Sequence, residues 1–109
     1  MRKYAEILVN AHYDVSKYKH QGNHMVYFSN PDKRPTYYTT FLDDKTSKWV
    51  EVKGATRSFL YHNNVICVVD DQNDLFWLSH AGWFTPSTSQ ALGQYKAYFI
   101  SLGYRCMMD

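Results

Sequence analysis

Short apolar and aromatic runs, each bounded by a cluster of turn-forming residues, place the strongest constraint on how this chain folds. The turn clusters occupy residues 30–32, 43–47 and 70–74. The runs between them are about five to seven residues long, which suits β-strands and is too short for most helices. The pattern therefore predicts a fold rich in antiparallel β-structure.

Five strand segments are predicted from these runs, over residues 25–29, 36–42, 48–53, 58–70 and 75–79. The fourth segment has two solutions at Asn63-Asn64, because the pair can form a tight hairpin or interrupt one longer strand as a bulge. We favour the bent or bulged strand. The segments 58–70 and 75–79 are apolar at consecutive positions, which is typical of central strands covered on both faces.

Strict alternation assigns the two faces of the segment 48–53. Val50 and Val52 are predicted to face one side, with Trp49 and Glu51 on the other. This arrangement leaves a tryptophan on the polar face of the strand.

A helix is predicted at each end of the chain. The first has an apolar stripe within residues 4–15, then basic residues, and it ends at Gly22-Asn23. The second spans about 89–102 and ends at Gly103. Residues 85–90 offer a choice of N-cap hydroxyls, among which Ser87 has the capping-box spacing to Gln90. The fold class is therefore α+β, a single domain over residues 1–109 with an antiparallel sheet of about five strands.

Composition agrees with a globular chain, at 45% hydrophobic and 20% charged residues. No apolar run is long enough to span a membrane, and the N-terminus lacks a signal-peptide core, so we expect a cytoplasmic location and no membrane partner. The net charge is +2, with a basic bias in the N-terminal third. That bias permits an anionic partner without requiring one.

No catalytic or metal-binding constellation is recognised. The His and Cys residues lack zinc-ligand spacing, so no metal or cofactor is predicted. Ser87, Thr88 and Ser89 are interpreted as helix-capping residues, and the Asp43-Asp44 and Asp70-Asp71 pairs as turn formers. Both cysteines are predicted to be free thiols, with Cys67 buried among aliphatic side chains that raise its pKa. We therefore predict that the protein is not an enzyme.

The chain carries ten Tyr, six Phe and three Trp residues, more rings than a core of this size requires. The rings assigned to the core are Phe28, Phe41, Phe59, Phe76, Trp77, Tyr95 and Phe99. The remaining rings, with nearby cations, indicate a recognition surface. Its predicted contact residues are Lys33, Arg34, Tyr37, Tyr38, Lys48, Trp49, Lys53 and Trp83.

The stretch from Ser58 to Tyr104 resembles a module of small, mostly uncharacterised proteins of bacteriophage type. The resemblance is carried by segments 58–61, 65–69, 75–78 and 84–89, followed by a helix containing Leu92 and Tyr95. It implies a strand pair leading through a Ser/Thr-rich turn into a helix, and a phage origin. Gln90 replaces the basic residue usual after that turn, which argues against a phosphate-binding role.

These observations favour a phage-encoded binding protein that blocks a host macromolecule, such as a defence or transcription component, in the host cytoplasm. Aromatic anchors with Lys and Arg at the rim would make the contact. The alternative is a nucleic-acid-binding protein that stacks bases on the rings of the first hairpin. A third interpretation is a homodimer or larger homo-oligomer that buries the surplus rings.

Overall fold

The computed structural model describes residues 18–21, 24–29, 38–53 and 56–107 of the 109-residue chain, with side chains at 40–52 and 56–107. The predicted helix over residues 4–15 lies outside these ranges. The described residues form β1 (Tyr18–Gln21), β2 (His24–Ser29), β3 (Tyr38–Leu42), β4 (Trp49–Lys53), β5 (Thr56–Tyr61), β6 (Asn64–Asp70), β7 (Leu75–Leu78), α1 (Pro86–Ser101) and β8 (Arg105–Cys106).

Two sheets organise the described part of the chain. Six strands pair in the order β1-β2-β5-β6-β7-β8, while β3 and β4 form a separate hairpin. All pairings are antiparallel except the parallel contact between β7 and the short β8. The α+β class is confirmed, whereas the expected sheet of about five strands is in fact divided into two sheets.

The segment from Tyr18 to Gln21 corrects one sequence expectation. Its basic residues were assigned to the end of a helix, but they lie in β1, where Lys19 pairs with Val26 of β2. The segment is polar and has no β-branched residue, so its strand state depends on pairing with β2 and not on its own propensity.

The favoured bend at Asn63-Asn64 is wrong, because β5 and β6 form a tight hairpin. Tyr61 pairs with Asn64, and the two residues between them have positive φ, +50° at His62 and +66° at Asn63. Two consecutive left-handed residues are typical of a two-residue hairpin turn. A bulge does occur farther along, where β5 pairs Phe59 with Cys67 but Leu60 with Val65, which leaves Ile66 as the extra residue.

Strand β6 lies between two apolar layers, as its continuous apolar run predicted. On one face Cys67 and Val69 pack with α1 residues, among which Tyr95 and Phe99 are fully buried. On the other face Val68 packs against Phe41 and Val52 of the β3–β4 hairpin. The bulge adds Ile66 to the helix side.

Five of the seven aromatic residues predicted to lie in the core are buried. They are Phe41, Phe59, Phe76, Tyr95 and Phe99. Phe59 lies at the centre, with ring centroids 5.0 Å from Tyr95 and 5.8 Å from Phe99. Trp77 is partly buried against the Phe41 layer, and the side chain of Phe28 lies outside the described set.

Helix α1 begins at Pro86, earlier than predicted, because its N-cap is Thr85 and not Ser87. The Thr85 side chain accepts a hydrogen bond from the Thr88 amide at 3.3 Å, and Pro86 occupies the first turn. Gly103, with φ +90°, follows the C-cap as expected. The cap assignment leaves Ser87 and Ser89 inside the first turns of the helix, which matters for the site.

Candidate functional site

Only part of the predicted contact set has a described side chain. Lys48, Trp49 and Trp83 are exposed. Tyr38 and Lys53 pair across the β3–β4 hairpin, but the structure describes only their backbones. Lys33, Arg34 and Tyr37 lie outside the described residues.

The exposed tryptophans belong to neighbouring segments. Trp49 pairs with Leu42 across the hairpin, on the face opposite the Val50 and Val52 side that packs inward. A Cβ placed on Gly82, which has φ +84°, would lie 3.8 Å from the Leu42 side chain, so the loop before α1 passes close to Leu42. Trp83 is the next residue of that loop.

Phe84, the residue after Trp83, is a third exposed ring. The sequence analysis did not include it among the predicted contact residues. Trp49, Phe84 and Trp83 are 69%, 66% and 59% exposed, and we refer to these three residues as the aromatic edge. Phe84 carries no periodic signal in the sequence, since it lies in an irregular loop between β7 and α1. Its exposure could be found only from the fold.

The loop over residues 79–85 is fastened to the β3–β4 hairpin by polar contacts. The Ser79 hydroxyl donates to the Leu42 carbonyl and accepts from the Ala81 amide. The Asp44 carboxylate accepts from the His80 backbone amide at 2.8 Å, and its second oxygen lies 2.7 Å from His80 Nδ1. These contacts hold the imidazole in one orientation against the turn.

His80 also reaches the first turns of α1, so three groups lie in series. Its Nε2 atom is 3.1 Å from Ser89 Oγ, while its Nδ1 atom faces Asp44. The Phe84 ring stacks on the imidazole with centroids 4.6 Å apart and planes 18° from parallel. The sequence interpretation of Ser89 as a capping residue is therefore incomplete, because the fold joins it through His80 to Asp44.

A groove of about 350 Å³ borders this series of groups. Its walls come from the β5–β6 hairpin, the loop and the start of α1, and include Tyr61, Ile66, His80, Trp83 and Thr88. Most of its lining surface is apolar, although His62, Asn64, Thr85 and Ser87 also contribute to the walls. A second depression of about 230 Å³ lies against His80 as well, and is lined by Asp44, Lys45, Leu92 and Lys96 among others.

A different cluster serves the core. Arg57 is nearly buried and donates to both oxygens of Asp71, at 2.8 Å from Nε and 2.7 Å from Nη2. The Tyr104 hydroxyl donates to the same carboxylate at 2.7 Å. Partial burial and this hydrogen bond raise the pKa of Tyr104 to about 12. The guanidinium also lies over the rings of Phe59 and Phe99, so this cluster supports packing.

The two cysteines agree with the sequence interpretation. Cys67 and Cys106 are free thiols, and burial raises the pKa of the Cys67 thiol well above its ordinary range, which disfavours the reactive thiolate. Within the described ranges, no group of three or more His, Cys, Asp or Glu side chains is placed to hold a metal ion. No helix in those ranges has the length and apolarity needed to cross a membrane.

Comparison with known proteins gave no relative from which to transfer a function. No family model matches the chain, and neither a curated protein nor a solved structure matches it. The similarity to bacteriophage-type proteins therefore stays a prediction from the residues between Ser58 and Tyr104.

Proposed function

We propose that this chain is a binding protein that occludes a protein partner with its aromatic edge. The observation that carries the proposal is the exposure of Trp49, Trp83 and Phe84 on segments held together by the Asp44 and Ser79 contacts. Tryptophan is among the residues most enriched at interface hot spots, because one side chain buries a large rigid area at little cost in conformational entropy.

The fixed loop strengthens this proposal. Trp83 borders the 350 Å³ groove, so a partner side chain could enter the groove while the exposed rings pack around it. The contacts of Asp44 with His80 hold the loop before binding, which lowers the ordering cost that a free loop would add. Occlusion of this kind needs no chemical step.

Charge favours a protein over a nucleic acid as the partner. Exposed Lys45 and Lys48 belong to the β3–β4 hairpin that carries Trp49, but so do Asp43, Asp44 and exposed Glu51. Nucleic-acid surfaces usually concentrate positive charge on one face. If the resemblance to bacteriophage-type proteins reflects origin, the partner would be a host defence or transcription component.

The test is co-purification of a partner with the native chain and with the double variant W49A/W83A. We expect one host protein to be retained by the native chain, with binding at least tenfold weaker in the variant, since each hot-spot tryptophan contributes about 2 kcal/mol or more. Ile100→Ala is the matched control, because Ile100 is also an exposed apolar residue but lies near the C-terminal end of α1.

Two further measurements identify the competing functions. A gel shift that weakens steeply with salt would favour nucleic acid, since phosphate contacts release counterions. A dimer in light scattering, dissociated by W49A/W83A, would favour self-association. Equal capture by the native chain and the double variant would contradict the aromatic edge as the binding surface.

A further inference from the structure

The series Asp44, His80 and Ser89 contains a hydrogen bond that binding does not require, the contact between His80 and Ser89. We propose that Ser89 is a nucleophile activated by His80, that Asp44 is a positioning residue, and that the site hydrolyses small carboxylic esters with an apolar acyl group. This inference departs from the sequence expectation of a non-enzyme. It goes beyond the proposed binding function and is tested with different variants.

The distances match the requirements of a hydroxyl nucleophile and its base. Ser89 Oγ lies 3.1 Å from His80 Nε2, within the reach of direct proton transfer. On the opposite side of the ring, Nδ1 lies 2.7 Å from Asp44, a carboxylate that can only accept from it when ionised. This hydrogen bond assigns the proton to Nδ1 and directs the Nε2 lone pair toward Ser89.

More than one contact fixes the orientation of the His80 imidazole. Asp44 accepts from the backbone amide of His80 as well as from its ring, so the carboxylate is fixed at both oxygens. Phe84 stacks on one face of the ring. Orientation of the base by a third group is what distinguishes a nucleophile–base pair from a chance contact between side chains.

Ser89 is available for chemistry because helix capping does not use it. Thr85 is the N-cap, and its hydroxyl receives the Thr88 amide. Ser89 is exposed and lies within the first turns of α1, close to the positive end of the helix dipole. The dipole at that end favours negative charge on a carbonyl oxygen during attack, while the Thr88 and Ser89 amides themselves donate to Thr85.

The substrate class follows from the surroundings of the pair. His80 borders both the 350 Å³ groove, whose lining includes Tyr61, Ile66 and Trp83, and the 230 Å³ depression. The groove suits a small apolar or aromatic acyl group, and the depression offers room for the alcohol part. His80 is the residue that lines both cavities, and Ser89 Oγ lies 3.1 Å from its Nε2 atom, so an ester bond held beside His80 would be within reach of Ser89.

The reaction balances without a cofactor. Ser89 Oγ bonds to the ester carbonyl carbon while its proton passes to His80 Nε2. The carbon–oxygen bond to the alcohol breaks, and His80 returns the proton to the departing oxygen. Water then attacks the acyl group and gives its proton to His80, the acyl–Oγ bond breaks, and the proton passes to Ser89 Oγ, which releases a carboxylic acid.

The first experiment measures hydrolysis of 4-nitrophenyl butyrate and labelling by an alkyl fluorophosphonate, located by mass spectrometry. We expect the label on Ser89 and an ester hydrolysis rate about a hundredfold higher than that of Ser89→Ala or His80→Gln. Ser101→Ala is the matched control, because Ser101 is an exposed hydroxyl on the same helix and should leave both readouts unchanged. Equal hydrolysis by the native chain and Ser89→Ala would overturn the proposal.

Asp44 needs a readout that a purely structural role would not change. For folded Asp44→Asn, whose fold is verified by circular dichroism, we expect kcat to fall about tenfold or more while KM changes little, because the ring loses its fixed tautomer. A purely structural carboxylate would lower the folded fraction and leave kcat per folded molecule unchanged. That second result would overturn the assignment of Asp44 as a positioning residue.

Discussion

The turns at Asp43-Asp44 and Asp70-Asp71 are alike in the contacts of their first carboxylate and different in those of their second. In each turn the first carboxylate stays local, since Asp43 accepts from the Lys45 amide at 3.0 Å and Asp70 accepts from the Gln72 amide at 3.1 Å. The second carboxylate reaches a distant part of the chain. Asp44 binds His80, 36 residues away, whereas Asp71 binds groups 14 and 33 residues away.

The difference lies in what the second carboxylate meets. Asp71 neutralises Arg57, a nearly buried cation beside the core rings, and therefore holds β5 to the β6–β7 turn. Asp44 meets a histidine at a groove, where the ring faces a hydroxyl on its other side. One turn supports packing and the other positions a polar group at the surface, although the two dipeptides are identical in sequence.

The largest effect should come from Asp71→Ala. Removing this carboxylate leaves the Arg57 guanidinium buried without its bidentate partner, and breaking such a pair typically costs about 3–5 kcal/mol of folding stability. Urea unfolding of the native chain, Asp71→Ala and Asp44→Ala gives the free energy of unfolding of each, and we expect Asp71→Ala to lose more than Asp44→Ala. The comparison fails if Asp44→Ala destabilises the chain as much as Asp71→Ala does.

Tyr104→Phe tests the same cluster through pH. Loss of the hydrogen bond to a carboxylate should cost about 1.5–3 kcal/mol at neutral pH. Because the pKa of Tyr104 is raised to about 12 from an ordinary value of 10.0, its stabilisation is present below about pH 10 and declines as pH rises from 10 to 12. The stability gap between native and variant should therefore narrow over that range in denaturant titrations. A gap that stays constant from pH 8 to 12 would contradict the assigned hydrogen bond.

Asp44→Ala should have a smaller and more local effect. Its contacts with His80 are partly exposed, so we expect a loss of about 1 kcal/mol. Hydrogen exchange of the His80 amide should accelerate, because the carboxylate that accepts from it is gone, while amides in β6 stay protected. Equal acceleration in β6 would show that Asp44 supports the core and not only the loop.

Local patterns in the sequence predicted the features that depend on near neighbours. Strands β2, β3, β4 and β7 lie within two residues of their predicted bounds, and Val50 and Val52 face inward as alternation required. The sequence also predicted that Asp43 and Asp70 form turns. Each of these features depends on periodicity or turn chemistry that acts across a few residues.

Features made by tertiary contacts could not be predicted in this way. The polar strand β1 exists by pairing with β2, and the two-residue β8 forms only where the chain returns beside β7. The series of Asp44, His80 and Ser89 has no local motif, since the β3–β4 hairpin must dock on the loop before α1 to assemble it. Sequence spacing contains no information about that docking.

The smallest effects should come from the first carboxylate of each turn. Asp43→Ala and Asp70→Ala each remove an acceptor for turn amides at exposed positions, which should cost about 0.5–1 kcal/mol. Asp43→Asn and Asp70→Asn are the matched controls, because an asparagine carbonyl still accepts from the turn amides, while its NH2 group cannot accept the second bond from Thr46 Oγ1 or Asn73 Nδ2. In thermal unfolding, the two alanine variants should be equally destabilised, and each asparagine variant should lie between its alanine variant and the native chain. Equal losses of stability in Asp43→Ala and Asp70→Ala would show that the first carboxylate has the same role in both turns, so that the two turns differ only through Asp44 and Asp71. Unequal losses would show that the first carboxylates also contribute to the difference.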